Sequence, residues 1–163
     1  MMKEILLEQF TVTFDENGWF VALKNALDGL SVEDALWKEG ELDHSIWELV
    51  VHLRYWNERW LRRFSGGEVG ESKETIDATF RGESGGAEEW EKLKDELFQV
   101  FADWKRAIET VDEAKFSEQV SDDYDEPWSV PIAHQNIHNA YHIGQIVVIR
   151  KIQGSWNAKQ GVS

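Results

Sequence analysis

The sequence predicts an all-α fold, a four-helix bundle with one long crossover loop between its second and third helices. Four segments carry apolar residues at helical spacing, and no stretch between them has a convincing strand pattern. A glycine-rich connection of about 22 residues, 65–86, separates the second segment from the third. That is long for a bundle connection, so it could carry the chain back along the bundle and make the two helices parallel.

The first predicted helix spans about residues 2–30. Gly18 interrupts it at a cost of roughly 1 kcal/mol relative to alanine, which allows a kink. The apolar residues near helical spacing are Ile5, Leu6, Phe10, Phe14, Phe20, Leu23 and Leu27.

The second predicted helix begins at Ser45-Ile46-Trp47-Glu48, which is a capping-box pattern. It continues to about Phe64, and Ser65-Gly66-Gly67 ends it. The third spans about residues 87–110 and carries a regular core stripe. The stripe consists of Trp90, Leu93, Leu97, Phe101, Trp104 and Ile108.

The fourth predicted helix starts after Ser129, has Pro131 in its first turn and runs to about Gln153, before Gly154. No Asp or Glu follows Glu126 in the chain. Residues 146–149 offer no polar face over a full turn, and a helix that is apolar all round is either central or covered by a partner. Burial within the bundle and a homodimer interface both explain this helix.

Composition restricts the class of protein. At 163 residues the chain is most simply one domain, residues 1–163, and 42% hydrophobic residues argue against disorder. A net charge of −14 disfavours nucleic-acid and anionic-membrane partners, which require basic patches. No apolar run approaches the roughly 20 residues of a membrane span and the N-terminus lacks a signal-peptide pattern, so we expect a cytoplasmic protein. Because cysteine is absent, a metal here must use histidine and carboxylate ligands.

All five histidines fall into two clusters, His44 with His52 and His134 with His138 and His142. Residues four apart share a helix face, so either 134/138 or 138/142 could hold an ion together with His52. All three later histidines cannot, because residues 134 and 142 are about 12 Å apart along a helix. The position of His52 along the second helix matches that of the pair 134/138 on the fourth helix if the two helices run parallel. It matches the pair 138/142 if they run antiparallel. The crossover favours the antiparallel case, and therefore His52, His138 and His142.

Other interpretations of these residues remain open. A His-x-x-x-His pair is a weak signal by itself, and a histidine among apolar neighbours is commonly a core residue with a hydrogen-bond partner. His44 precedes the helix cap and reads as a surface residue, and His134 reads as a polar lining group. Glu48 could act as a base one turn before His52, but the capping box already accounts for it.

Three imidazole ligands suit a divalent ion such as zinc or nickel and leave part of its coordination sphere open for chemistry. A fourth protein ligand would instead close the site and favour a purely structural role. The acidic segment 121–126, just before the fourth helix, could supply that ligand, although a solvated charge run is the favoured explanation of it. A metal-free scaffold with remnant histidines is a third possibility.

Two motifs of the chain stand out, Ser45–Leu53 with Tyr55-Trp56-Asn57, and His138–Ile146 with the pattern His-x-x-x-His-x-Gly-Gln. They are similar to the helix-two and helix-four signatures of the DinB-like (YfiT-type) superfamily of metal-dependent enzymes, which the chain therefore resembles. Leu23–Ser31 also resembles members of the family, so the similarity covers essentially the whole chain. The resemblance implies an up-down-down-up bundle, frequent dimers and a divalent metal. The metal ligands that it implies are His52, His138 and His142.

The resemblance also implies a class of reaction. Some relatives are thiol-dependent S-transferases or isomerases that use bacillithiol or mycothiol, and others are regarded as metal-dependent hydrolases. We expect a thiol-dependent S-transferase that acts on small electrophiles and could use a low-molecular-weight thiol such as bacillithiol. The alternatives are a metal-dependent hydrolase and a non-catalytic, metal-stapled stress-response binding module. No residue is assigned a catalytic role from the sequence.

Four further residues near the predicted metal ligands are candidates for supporting roles at the site. Trp56 and Tyr141 are expected to line the substrate pocket, although nine Trp in a bundle are mostly core residues. Asn139 and Gln145 could orient a ligand histidine or the substrate, or could lie on the helix surface. The expected partners are a small-molecule substrate and a second copy of the chain.

Overall fold

A computed structural model describes residues 1–67, 69, 74–80 and 85–161. This part of the chain is mostly helical and contains six α-helices, of which four are long. The long helices are α1 (Met2–Phe14), α4 (Ile46–Phe64), α5 (Ala87–Thr110) and α6 (Ser129–Ile152). Two short helices, α2 (Leu23–Leu27) and α3 (Val32–Leu36), connect α1 to α4. A short antiparallel hairpin of β1 (Gln119–Ser121) and β2 (Tyr124–Pro127) precedes α6.

The predicted first helix of about residues 2–30 is wrong in extent. Helix α1 ends at Phe14, and α2 is a separate five-residue helix. Gly18 lies in the non-helical stretch between them rather than at a kink. The physical reason is Asn17, whose side-chain oxygen accepts hydrogen bonds from the Ala22 backbone N–H at 2.9 Å and from Asn25 at 2.8 Å. Such side-chain bonds to the backbone compete with helix continuation.

The expectation that no strand separates the helices is also wrong. The acidic segment 121–126 covers the last residue of β1, the turn and most of β2. In this hairpin Gln119 lies opposite Pro127, and Ser121 lies opposite Tyr124. Strands of three and four residues are too short for their two-residue alternation to stand out in a sequence.

The other three predicted helices are confirmed within a residue or two of each end. Ser45 caps α4 by accepting from the Glu48 N–H at 3.2 Å, and the Glu48 carboxylate accepts from the Ser45 N–H at 2.7 Å. Helix α5 buries the whole predicted core stripe. Helix α6 ends at Ile152, and Gly154 follows with a φ of 82°, a conformation that favours glycine after a helix.

Aromatic contacts fix how neighbouring long helices run. Trp47 packs on Trp90 at a ring-centroid distance of 5.4 Å, and the Trp104 indole N–H donates to the Asn57 carbonyl at 3.0 Å. The later residue in α4 contacts the later residue in α5, so the two helices run in the same direction. The connection between them, residues 65–86, lies partly outside the described residues.

Helices α4 and α6 run in opposite directions. His52, early in α4, contacts His138 and His142 in the middle of α6. Trp60, two turns later in α4, contacts Trp128 at the beginning of α6 with a ring-centroid distance of 6.3 Å. The prediction that His52 lies level with His138 and His142 required these two helices to be antiparallel.

The apolar run in α6 is largely buried by the chain itself. Ile146, Val147 and Ile149 belong to the core, whereas Val148 is 54% exposed. Over the described residues, none of the helices has the length and apolar character needed to cross a membrane.

Candidate metal centre

Helices α4 and α6 bring His52, His138 and His142 together. The Nε2 atom of His138 lies 3.0 Å from the Nε2 of His52 and 3.0 Å from the Nε2 of His142. One ring nitrogen from each histidine lies within 4.8 Å of the other two. Ligand nitrogens of a tetrahedral site with bonds of about 2.0–2.1 Å are themselves about 3.3 Å apart. The spacing and chemistry of these three donors therefore fit a common divalent ion.

Thr79 determines the tautomer of His52. The Thr79 hydroxyl lies 2.6 Å from His52 Nδ1 and donates its proton to the Ile76 carbonyl at 2.6 Å. A hydroxyl has one proton, so His52 Nδ1 must donate to the Thr79 oxygen. The lone pair of His52 is then on Nε2, the atom that faces the other two histidines. A partner of this kind orients a metal-binding histidine and makes it a better ligand.

Gln145 does the same for His142. Its side-chain oxygen lies 2.6 Å from His142 Nδ1, and because an amide oxygen only accepts, the imidazole donates. The amide nitrogen of Gln145 contacts the Tyr141 hydroxyl at 3.4 Å. Of the two residues expected to orient a ligand, Gln145 therefore contacts one. Asn139 does not, because it is buried and bonded to Asn57.

Burial keeps the three imidazoles uncharged at neutral pH. Desolvation, with smaller contributions from the neighbouring histidines, lowers the pKa of His52 to about 3. Desolvation and His142 lower the pKa of His138 to about 4. The pKa of His142 is also lowered, mainly by burial. Neutral imidazole is the form that binds a metal, so the site does not need to lose protons at pH 7 before an ion enters.

Phe80 covers one side of the cluster. Its ring stacks on His52 at a centroid distance of 3.9 Å and an angle of 6°, and its other face stacks on His44 at 3.8 Å and 5°. His44 thus contacts Phe80 and lies 3.9 Å from the Glu48 carboxylate, and it is not part of the ligand group. Thr79 and Phe80 were missed from the sequence, because they lie in the connection after α4, where no periodic pattern singles them out.

A cavity of about 460 Å³ opens beside the histidines. Its walls are mainly aromatic and come from α4, α6, β2 and the connection after α4. Trp56 and Tyr141 line it as predicted, and His134 is one of its polar lining groups. The other aromatic walls are Trp60, Phe80 and Tyr124.

No carboxylate of the described chain joins the three histidines as a fourth ligand. The acidic segment 121–126 does reach the cavity through Glu126, which lines it, but Glu126 lies outside the ligand group. Glu48 is occupied by the helix cap and by an ion pair with Lys38 at 3.2 Å. Three neutral donors beside a cavity can hold an ion and still present it to a small molecule.

One comparison with known proteins assigns the chain to a family. The family model of the DinB superfamily matches residues 20–146, which include both histidine-bearing helices up to residue 146. No curated protein matches the chain, and no solved structure matches it. Since the match covers more than half of the 163 residues, the chain belongs to the DinB superfamily.

Proposed function

We propose that this protein is a metal-dependent enzyme in which His52, His138 and His142 hold a divalent ion, zinc or nickel. The observation that carries the proposal is the convergence of three neutral Nε2 atoms, two of them 3.0 Å from the third, at the end of an aromatic cavity. A divalent ion bound there supplies a Lewis acid that lowers the pKa of a water or thiol and creates a nucleophile near neutral pH.

The protein's own residues then perform three tasks. Thr79 and Gln145 fix the tautomers of His52 and His142, so that both lone pairs face the same point. Phe80 excludes water from one side of the cluster. The aromatic walls bind the apolar part of a small electrophile and bring its reacting atom to the histidines.

The first reaction class that we propose is transfer of a thiol to a small electrophile, which the family resemblance favours. The described lining of the cavity contains neither Lys nor Arg. It therefore does not fit a thiol that carries carboxylates, such as bacillithiol, and an uncharged thiol suits it better. The same observation favours a second candidate, hydrolysis, which needs no thiol.

The test is activity of metal-loaded protein toward a panel of small electrophiles, with water alone, an uncharged thiol and bacillithiol as nucleophiles. His52→Ala should lose both the bound ion and turnover. His134→Ala should keep the ion, because His134 is outside the ligand group. Wild-type protein that takes up no divalent ion at micromolar concentration would overturn the proposal.

Chelation separates an enzyme from a metal-stapled binding module. The core contains aromatic contacts that involve none of the histidines, such as Phe10 stacked on Trp104 at 5.3 Å. We therefore expect the metal-free protein to stay helical by circular dichroism, with a melting temperature lowered only by the lost binding energy. Loss of the folded state on chelation would instead support the structural role.

We also propose the finer architecture that the resemblance implies, a single domain of residues 1–163 built as an up-down-down-up four-helix bundle. Parallel α4 and α5 and antiparallel α4 and α6 support it. Antiparallel packing of α1 on α5 completes the pattern, because Lys3 reaches Val111 while Phe14 reaches Phe98.

A homodimer is the oligomeric state that we propose. One face of α6 exposes a stripe of large apolar side chains at successive spacings of four, seven and four residues, and this stripe is Ile137 (66% exposed), Tyr141 (64%), Val148 (54%) and Ile152 (60%). In a chain of net charge −14, α6 carries no Asp or Glu. Two copies can therefore meet along α6 without acid-to-acid repulsion, which makes a second copy the best-suited partner.

A further inference from the structure

We propose that the cavity selects a small molecule with a cationic group at one end and the reacting atom at the other. The inference rests on the proposed function for the reacting end, and adds the class of substrate. It is carried by the composition of the cavity wall farthest from the histidines.

The cavity runs lengthwise between α4 and α6. On α4 its lining extends from His52 to Trp60, eight residues or about 12 Å along the helix. On α6 its lining runs from His142 back to Pro131, and the part between His138 and Pro131 spans seven residues or about 10 Å. Since the two helices are antiparallel, both distances lead to the same far end. A ligand that fills the cavity therefore has its ends about 10 Å apart.

Strand β2 borders the far end, where its side chains are exposed to solvent. Tyr124 and Glu126 both line the cavity, and residues two apart in a strand point to the same side. Tyr124 meets Trp60 edge to face, with centroids 5.7 Å apart and an angle of 82°. Aromatic rings beside a carboxylate bind cations, because the ring faces and the carboxylate are both negative.

The charges around Glu126 leave it available to a ligand. It is the only carboxylate among the described residues that line the cavity, which include no Lys or Arg. It forms no ion pair with another described residue. Arg63 lies 5.2 Å from the Trp60 ring but does not line the cavity. The net charge of −14 adds a long-range attraction for cations.

The distance from the histidines makes a cationic ligand compatible with a metal. Two positive charges about 10 Å apart are separated by about one Debye length at 0.1 M salt, so screening reduces their repulsion to roughly a third of its unscreened value. A cationic group beside the histidines would meet the ion directly. The aromatic and carboxylate end is therefore where a positive charge is stable.

The experiment compares three phenylalkyl probes of equal length that end in trimethylammonium, in its neutral isostere tert-butyl, or in carboxylate. Binding to the full chain is measured by calorimetry, with and without zinc. In the zinc-free protein, where the carboxylate probe has no ion to ligate, we expect the cation to bind about tenfold more tightly than the neutral probe, and the anion more weakly than both. Glu126→Gln should reduce the preference to about twofold. Asp123→Asn, the same charge change in the hairpin turn outside the cavity lining, should leave it intact.

Equal binding of the three probes, binding of none, or a cation preference unchanged in Glu126→Gln would each overturn the inference. Trp60→Leu is a second variant that should weaken the cation preference while Glu126 stays in place. Zinc content is measured separately, so the two proposals fail in distinguishable ways. A cation preference in protein that binds no metal would contradict the proposed metal-dependent function and support the substrate selectivity. Metal binding without a cation preference would contradict the selectivity and leave the proposed function in place.

Discussion

Asn57 and Asn139 exchange two hydrogen bonds in the core, between α4 and α6. The amide nitrogen of Asn57 donates to the oxygen of Asn139 at 2.8 Å, and the amide nitrogen of Asn139 donates back at 3.1 Å. Both side chains are fully buried. Asn139 follows His138 directly, and Asn57 lies five residues after His52. The pair therefore fixes the register of the two helices that carry the metal ligands.

Breaking this pair should destabilise the fold. Asn139→Leu leaves the buried Asn57 amide without its partner, which costs about 1–3 kcal/mol in the free energy of unfolding. Urea denaturation measures it. The double variant Asn57→Leu/Asn139→Leu should lose less than the sum of the two single variants, because neither amide is then left unpaired. Additive losses would show that the two amides do not depend on each other.

Thr79 should matter for metal affinity more than for folding. Thr79→Val keeps the shape and removes the oxygen that accepts from His52 Nδ1, so we expect metal affinity to fall about 10- to 100-fold. Competition against a chromophoric chelator measures the affinity. Thr79→Ser, which keeps the hydroxyl, should restore it. Equal affinities for Val and Ser would mean that the hydroxyl does not position His52.

The metal-free protein should lose stability as the pH falls below about 6.5. The unfolded chain takes up protons on its histidines near their ordinary pKa of 6.5, whereas His52 and His138 in the folded protein resist protonation down to about 3 and 4. The unfolded state therefore binds more protons, and the free energy of unfolding decreases between pH 7 and pH 5. Urea denaturation in the presence of a chelator measures this slope.

The control for the acid slope is His52→Gln/His138→Gln, which removes both buried imidazoles. Its stability should change less between pH 7 and pH 5 than that of the wild type. If the free energy of unfolding changes equally with pH in both proteins, the acid sensitivity arises from other groups.

The exposed stripe on α6 should hold a dimer together. Val148→Asp places a charge in the middle of the stripe, so we expect monomer where the wild type is dimeric in sedimentation velocity at micromolar concentrations. Ile5→Asp is the matched control, since Ile5 is 51% exposed on α1 and outside the stripe. A monomeric wild type, or a dimer that survives Val148→Asp, contradicts the proposal.

The sequence by itself determined three of the four long helices and which three histidines lie close together. Helix signals are local: the capping box at Ser45 and the apolar periodicity of α4, α5 and α6 lie within a few residues of one another. The choice of His138 and His142 over His134 followed from helix rise and from the antiparallel direction expected of a long crossover. The predicted end of the first helix was wrong because the Asn17 side chain accepts hydrogen bonds from residues five and eight positions later. These bonds compete with the helix that the apolar pattern predicts.

Only the tertiary structure decided what surrounds the histidines. Thr79 and Phe80 reach His52 from a connection 27 and 28 residues later in the chain, and Tyr124 and Glu126 reach the cavity from a hairpin too short for a strand signal. Asn57 and Asn139 find each other across 82 residues. Contacts of this kind depend on how helices pack and on where connections return, and neither leaves a periodic pattern in the sequence.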